Sequence, residues 1–223
     1  ISAPKMAVRL QAIRGDRASI EFRGFPPKAR DDLVKALGDK ITVQEGTWNC
    51  VNGFAPNQGP KGPPQFKDVR VRRALTLSPD RWGGSKYLSK IALVKTVGGM
   101  VFPTSPLAAT KAELLTIPIF NPDNKVRRDM AKKLLKEAGA EGMKIALWNR
   151  AVDQPYKVVG TWLIDQWRKV GFDASQIVSP SGIWYAGLRK TKDFSVSMSL
   201  NCQSVVNPLI DVSKWQSADI AGN

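Results

Sequence analysis

Residues 144–202, KIALWNRAVDQPYKVVGTWLIDQWRKVGFDASQIVSPSGIWYAGLRKTKDFSVSMSLNC, decide the fold of this chain. The stretch opens with a short apolar run at 144–148 that predicts a strand. Apolar residues then recur at helical spacing over 155–170, and Gly171 follows them, which predicts an amphipathic helix closed by a glycine. The hydrophobic pattern therefore predicts a strand followed, after a short loop, by a helix.

The rest of this stretch again alternates between strand and helix patterns. Ile177 and Val178 indicate a second strand, 183–190 predicts a short helix, and nine residues at 194–202 alternate between apolar and polar, which is typical of a half-buried strand. A helix containing Val126 and ending before Gly139 precedes the whole series. Helices and strands in this order predict an α/β layered fold with crossover connections.

Elements before residue 126 are shorter and more irregular. Helices are predicted at 5–14 and 26–37, and strands at 19–22 and from 41 through 50. Residues 57–64, NQGPKGPP, form a turn-rich linker.

A second group of expectations covers the stretch up to residue 118. Asp68 caps a helix that Pro79 interrupts, and 98–118 is an irregular segment with a short helix at 111–115.

Composition excludes several classes of function. The chain has 223 residues and no histidine, so Ser-His-Asp triads, Cys-His dyads and H-E-x-x-H zinc sites are excluded. Two cysteines 152 positions apart cannot form a CxxC motif. No cofactor is expected, and with no P-loop and no G-x-S-x-G motif the sequence predicts a protein that is not an enzyme.

The charge raises one rival function, a basic nucleic-acid-binding domain. Lys and Arg number 34 against 19 Asp and Glu, a net charge of +15. The densest basic stretch, 125–144, mixes seven basic with three acidic residues on a predicted amphipathic helix, which favours an ordinary solvated face. A steep salt dependence of DNA affinity would favour the rival.

Three sets of motifs, in this order, resemble the family 5 extracellular solute-binding proteins of ABC transporters. They are PPQFKDVRVRRAL at 63–75 with Pro79-Asp80-Arg81, AKKLLKEAG at 131–139, and Trp184 with Lys192-Asp193-Phe194 and Asn207-Pro208. The resemblance runs from about Val8 onward. It implies a periplasmic-binding-protein-like lobe of the type II, venus-flytrap kind, with a mixed sheet flanked by helices.

The resemblance also implies an organisation and a role. Residues 1–46 would be a hinge-side segment of the first lobe or crossover, and 47–223 the ligand-binding lobe of a longer, exported protein. The implied function is the capture of an oligopeptide or similar solute between two lobes and its delivery to an inner-membrane ABC permease, in the periplasm and as a monomer. Nucleic acid is not an expected partner.

Candidate ligand contacts lie where strands end toward the opposite lobe. The residues are Trp48, Asn149, Arg150, Trp184, Asn201, Gln203, Ser204 and Asn207. Arg150 is suited to an anion, although a solvated loop arginine is an open alternative, and the two tryptophans would form flat apolar walls. Trp162 and Trp167 are assigned instead to the core.

Two features of this lobe follow from the resemblance. Peptide-binding relatives place an aspartate where Ser204 stands, and a neutral serine weakens the case for recognition through a free α-amino group, although Asp211 can compensate. Cys50 and Cys202 fall on neighbouring strands of the family's lobe and are predicted to form a disulfide, the alternative being two buried thiols.

Overall fold

A four-stranded mixed sheet organises the chain in the computed structural model, which describes residues 5–21, 24–46, 50–92, 94–99, 101–103 and 105–202. The strand order is β1-β4-β2-β3. The strands are β1 (Cys50–Pro56), β2 (Lys144–Arg150), β3 (Asp173–Ser179) and β4 (Val196–Cys202). The helices are α1 (Met6–Arg14), α2 (Pro27–Leu37), α3 (Val69–Leu77), α4 (Arg81–Ile91), α5 (Lys111–Leu115), α6 (Asn124–Glu137), α7 (Val158–Arg168) and α8 (Ser181–Ala186).

The sheet has one edge where three strands end. Strand β2 runs parallel to both β3 and β4, whereas β1 runs antiparallel to β4. Arg150 is therefore level with Ser179, and Cys202 with Cys50. We call this the carboxyl edge, because it gathers the last residues of β2, β3 and β4 and the first residue of β1.

Aspartates and a threonine set the start of four helices. The side chains of Asp68, Asp80 and Asp123 accept backbone hydrogen bonds at the first turns of α3, α4 and α6. Thr110 forms a capping box with Glu113 that opens α5 at the predicted residue. Pro79 lies between α3 and α4, as predicted.

Trp167 lies at the centre of the core. It is fully buried, its ring meets Phe54 edge-on at 5.1 Å, and its indole nitrogen donates to the Leu75 carbonyl at 3.2 Å. These contacts join α7, β1 and α3, so the helices cover the face of the sheet that carries Phe54 and Met198. The assignment of Trp167 to the core is confirmed, and Trp162 packs against the core while remaining partly exposed.

Two predicted strands are wrong. The described residues 19–21 are not a strand, and residues 41–46 have no regular structure; Phe22 and 47–49 lie outside the described residues. Residues 41–46 are largely exposed, and a strand needs a neighbour to pair with, which alternation alone cannot supply. Among the described residues, strand β1 begins at Cys50, which pairs with Cys202 of β4.

Strand β4 is buried more completely than its alternation predicts. Ser197 is 2% exposed although it lies on the polar face of the pattern. Helix α7 also starts later than predicted, because Asp153–Lys157 forms a wide, π-type turn before it. A similar turn, Gly187–Thr191, ends the predicted helix at 183–190.

Helices α1 and α2 precede the sheet and contact each other, and α2 also contacts α4. The proposed boundary between residues 46 and 47 stays a prediction. Within the described ranges, every helix is too short or too polar to cross a membrane.

Candidate ligand-binding site at the carboxyl edge

A disulfide joins the two strands on one side of the carboxyl edge. Cys50 and Cys202 are bonded and are directly paired in the β1–β4 register. The predicted disulfide is therefore confirmed.

Arg150 ends β2 at the same edge and is enclosed by aromatic rings. Its guanidinium carbon lies 4.7 Å from the ring centre of Tyr156, 5.0 Å from that of Tyr185 and 5.8 Å from that of Trp184. Its Nη1 donates to the Tyr156 hydroxyl at 2.8 Å, and its Nε donates to Ser181 Oγ at 3.1 Å. Only 7% of the residue is exposed, so it is not a solvated loop arginine.

The elements around β2 produce this enclosure. Tyr156 lies in the π-type turn that follows β2, and Ser181, Trp184 and Tyr185 lie on α8, which begins two residues after β3 ends. Because β2 and β3 are parallel and in register, α8 starts level with Arg150.

Within the described ranges, no carboxylate balances the charge of Arg150. Among the described residues, Arg150 forms no ion pair. Aromatic faces and hydroxyl groups stabilise a guanidinium partly, but a buried cation gains most from an anion with a matching fork of acceptors. The arrangement can therefore accept a carboxylate or another small anion.

Asn149 precedes Arg150 and points to the opposite face of the sheet. It is fully buried, and its Nδ2 donates to the Tyr156 carbonyl at 2.6 Å and to Gln176 Oε1 at 2.9 Å. Its Oδ1 accepts from the Arg150 backbone at 2.9 Å. Asn149 thus holds the π-type turn against the sheet and positions Tyr156 beside Arg150.

Trp184 is also more buried than an open cleft wall would be, with 4% exposed. Its indole nitrogen donates to the Trp148 carbonyl at 3.2 Å, and its ring lies 4.8 Å from that of Tyr185. The structure brings Trp184 and Arg150 together in one cluster.

Four predicted contacts, Trp48, Gln203, Ser204 and Asn207, lie outside the described residues, as does Asp211. Asn201 lies in β4, paired with Val51 and one residue before the disulfide.

The sequence reasoning missed Tyr156, Ser181 and Tyr185. Each lies beside a predicted element: Tyr156 follows the loop 149–155, and Tyr185 is next to Trp184. Their common signal is an aromatic or hydroxyl residue just beyond a strand end, which is too frequent to select without tertiary contacts.

In the described part of the chain, no candidate metal site occurs, and the densest basic stretch forms ion pairs within its own helix. No group of three or more metal-ligating side chains occurs there. On α6, the exposed Lys125 pairs with Asp129 at 2.7 Å and Lys133 with Glu137 at 3.9 Å, as expected of a solvated helix face.

Comparison with known proteins identifies the fold. The bacterial extracellular solute-binding proteins, family 5 Middle, match residues 5–223. The comparison with curated proteins gives no match.

Solved structures of peptide-binding proteins have the same fold. OppA of Burkholderia pseudomallei has a TM-score of 0.77 and 18% identity, with 97% of this chain and 41% of that chain covered. DppA of Helicobacter pylori in complex with the peptide STSA gives 0.70 and 19%, covering 93% and 37%. A dipeptide-binding protein of Pseudoalteromonas sp. SM9913 in complex with Met-Leu gives 0.70 and 21%, covering 94% and 39%.

This chain spans about two fifths of the length of those structures. The likeness confirms the α/β lobe of the periplasmic-binding-protein type, with its mixed sheet flanked by helices. Because the match to the family extends over almost all of the sequence, this chain belongs to the bacterial extracellular solute-binding proteins of family 5.

Proposed function

We propose that this protein is the substrate-binding component of an ABC importer. It captures a small solute, an oligopeptide or a similar molecule, between two lobes and delivers it to an inner-membrane permease. It works in the periplasm as a monomer and without catalysis. Family membership and the fold shared with peptide-binding proteins support this role.

The carboxyl edge is the side of this lobe that faces the ligand. The observation that carries this assignment is the buried cation of Arg150, which is surrounded by Tyr156, Trp184 and Tyr185 and lacks a described carboxylate. We assign it to an acidic group of the solute. Further contacts come from Trp48, Asn201, Gln203, Ser204 and Asn207, whereas the buried Asn149 does not contact the solute and acts through the turn that carries Tyr156.

The binding cycle is a lobe closure. Residues 1–46 belong to the hinge side and 47–223 to the ligand-binding lobe, so a ligand held by both lobes favours the closed state. Only the closed state makes both sets of contacts, and this lobe by itself should bind weakly.

A thermal-shift experiment tests the function. The protein is titrated with Ala-Ala-Ala, with its N-acetyl and C-amide forms, and separately with an opine, an oligosaccharide and a nickel chelate. A ligand that binds only the native state raises Tm. A rise with any of these solutes supports a solute-binding role, whereas a rise with duplex DNA alone would contradict it.

The same titration tests the role of Arg150. If Arg150 binds a carboxylate, the amide form raises Tm less than the free acid, and Arg150→Met removes that difference. Arg189→Met is the matched control. Arg189 is exposed, and its guanidinium carbon lies 5.7 Å from the ring centre of Tyr185, one of the three rings that also contact Arg150. An equal response of both variants would overturn the assignment of Arg150.

A further inference from the structure

A cavity lies beside β1, next to the disulfide. It has a volume of about 230 Å³, is partly open to solvent, and is lined by residues of β1, α4, α7 and the segment 94–99. Its apolar wall is formed by Phe54, Leu88, Val159, Trp162, Leu163 and Met198. A dry cavity of roughly 150 Å³ already binds benzene, so this space can hold an apolar group the size of an indole ring.

Among the described side chains of the wall, one buried polar atom lacks a hydrogen-bond partner. Asn52 lines the cavity, pairs with Leu200 in the strand register and lies on the same face of β1 as Phe54. Its Oδ1 is buried and accepts no hydrogen bond from any described residue. Since a buried acceptor without a donor destabilises the state that contains it, an occupant with an N–H group fits this position.

The charged groups of the wall are all positive. Arg81 and Lys95 line the cavity, and no acidic side chain occurs among its described lining residues. Burial, with the nearby Arg127, lowers the pKa of Arg81 to about 10, so it remains a cation at neutral pH. A basic group entering the cavity would meet like charge and find no carboxylate.

We propose that this cavity is the pocket for an apolar side chain of the transported solute, and that Asn52 Oδ1 accepts an N–H of the same solute. The pocket begins at Cys50, on the carboxyl edge, where the ligand contacts are assigned. This inference rests on the proposed function and narrows it. The protein selects solutes with a large apolar side chain and rejects those with a basic one.

Indole is the probe for the pocket, because it supplies an apolar ring and one N–H. Binding is measured by calorimetry and saturation-transfer NMR, with 1-methylindole as the probe that lacks the donor. Indole is expected to bind, and 1-methylindole to bind at least about tenfold more weakly because it leaves Asn52 unpartnered.

Two serines of α4 give a matched pair of variants. Ser85 lines the cavity and donates to the Lys95 carbonyl, whereas Ser89, one turn later, donates to the Lys86 carbonyl and does not line the cavity. Ser85→Phe should reduce indole affinity at least about tenfold by filling the space, and Ser89→Phe should leave it unchanged. Asn52→Leu should remove the preference for indole over 1-methylindole.

Failure of the pocket and failure of the transport role give different results. Ala-Trp-Ala should bind at least about tenfold more tightly than Ala-Lys-Ala. Equal binding of these two peptides, no binding of indole, or equal binding of indole by both serine variants would overturn the pocket proposal and leave solute binding intact. Binding of indole without binding of any solute tested would support the pocket and contradict the transport role.

Discussion

Two buried arginines, in different regions, are held in opposite ways. Arg127 of α6 is 1% exposed; its Nη1 donates to the carbonyls of Leu77 and Pro79, and its Nη2 lies 3.6 Å from the carboxylate of Asp80. Arg150, at the carboxyl edge, contacts rings and hydroxyl groups and has no described carboxylate. Arg127 completes contacts between α3, α4 and α6, whereas Arg150 carries a charge that no carboxylate among the described residues balances.

This difference separates stability from binding. A charge whose partners are all within the fold contributes to folding, because its removal leaves those partners unpaired. A charge without a carboxylate contributes little to folding and is available to a ligand. The two arginines should therefore respond differently to the same kind of substitution.

The largest effect is expected at Arg127. Arg127→Leu should lower the free energy of unfolding by about 3 kcal/mol, because the carbonyls of Leu77 and Pro79 and the carboxylate of Asp80 lose a buried partner. Urea denaturation measures the loss, with the exposed Lys132→Leu as control. A loss below about 1 kcal/mol would remove the contrast with Arg150.

The next largest loss of stability is expected at Gly160, which packs against the face of β2 that carries Asn149. A Cβ at Gly160 would lie 2.0 Å from Gln176 Oε1 and 2.5 Å from Asn149 Nδ2. Gly160→Ala should therefore lower the free energy of unfolding by about 2 kcal/mol, despite the better helix propensity of alanine.

Gly182→Ala is the control for Gly160, because its Cβ would meet no atom within 4 Å. Equal stability of the two variants in urea would show that the Asn149–Gln176 contact adapts freely.

A smaller effect on folding is expected at Arg150. Arg150→Met keeps the apolar contact with Tyr156, Trp184 and Tyr185 and loses only the cation–π and hydroxyl interactions, so it should cost about 1 kcal/mol. Urea denaturation should show this small loss while the response to the free peptide carboxylate disappears. A loss as large as that of Arg127→Leu would show that Arg150, like Arg127, serves mainly to stabilise the fold.

The smallest effect is on the pH dependence of stability, and it is expected at Asp68, in the same region of the fold as Arg127. Hydrogen bonds from the Arg70 side chain and backbone lower the pKa of Asp68, which caps α3. An acid with a lowered folded pKa stabilises the fold above its unfolded pKa of about 3.9, and this contribution is lost as the pH falls through the folded pKa. Asp68→Asn should therefore show a smaller loss of Tm on acidification from pH 5 to 2, and an unchanged loss would exclude this contribution.

Local chemistry explains which parts of the fold could be predicted. The cap at Asp68 and the glycine after α6 act within one turn of helix, and both are confirmed by the structure. The motifs that resemble family 5 identified the lobe, and the paired cysteines followed from that resemblance. The strand expected at 41–50 is wrong at 41–46, because alternation alone does not supply a second strand to pair with; Cys50 pairs with Cys202 of β4.

The candidate site could be predicted only in part. Arg150 was selected because it ends a strand, but its neighbours Tyr156 and Tyr185 were not. Tyr156 lies in the turn after β2 and Tyr185 on the helix after β3, and these two segments come together only because β2 and β3 pair in register. The ligand roles of Trp48, Gln203, Ser204 and Asn207 stay predictions.

By itself, the sequence determined the type of most elements, the family and the exclusion of histidine chemistry, because these depend on residues close together in the chain or on composition. Tertiary structure alone decided that Asn149 supports the sheet while its neighbour Arg150 enters an aromatic cluster. It also decided that Asn52 Oδ1 lies in the wall of a cavity and accepts no hydrogen bond from any described residue. Adjacent residues of a strand point to opposite faces, and what covers each face comes from distant parts of the chain.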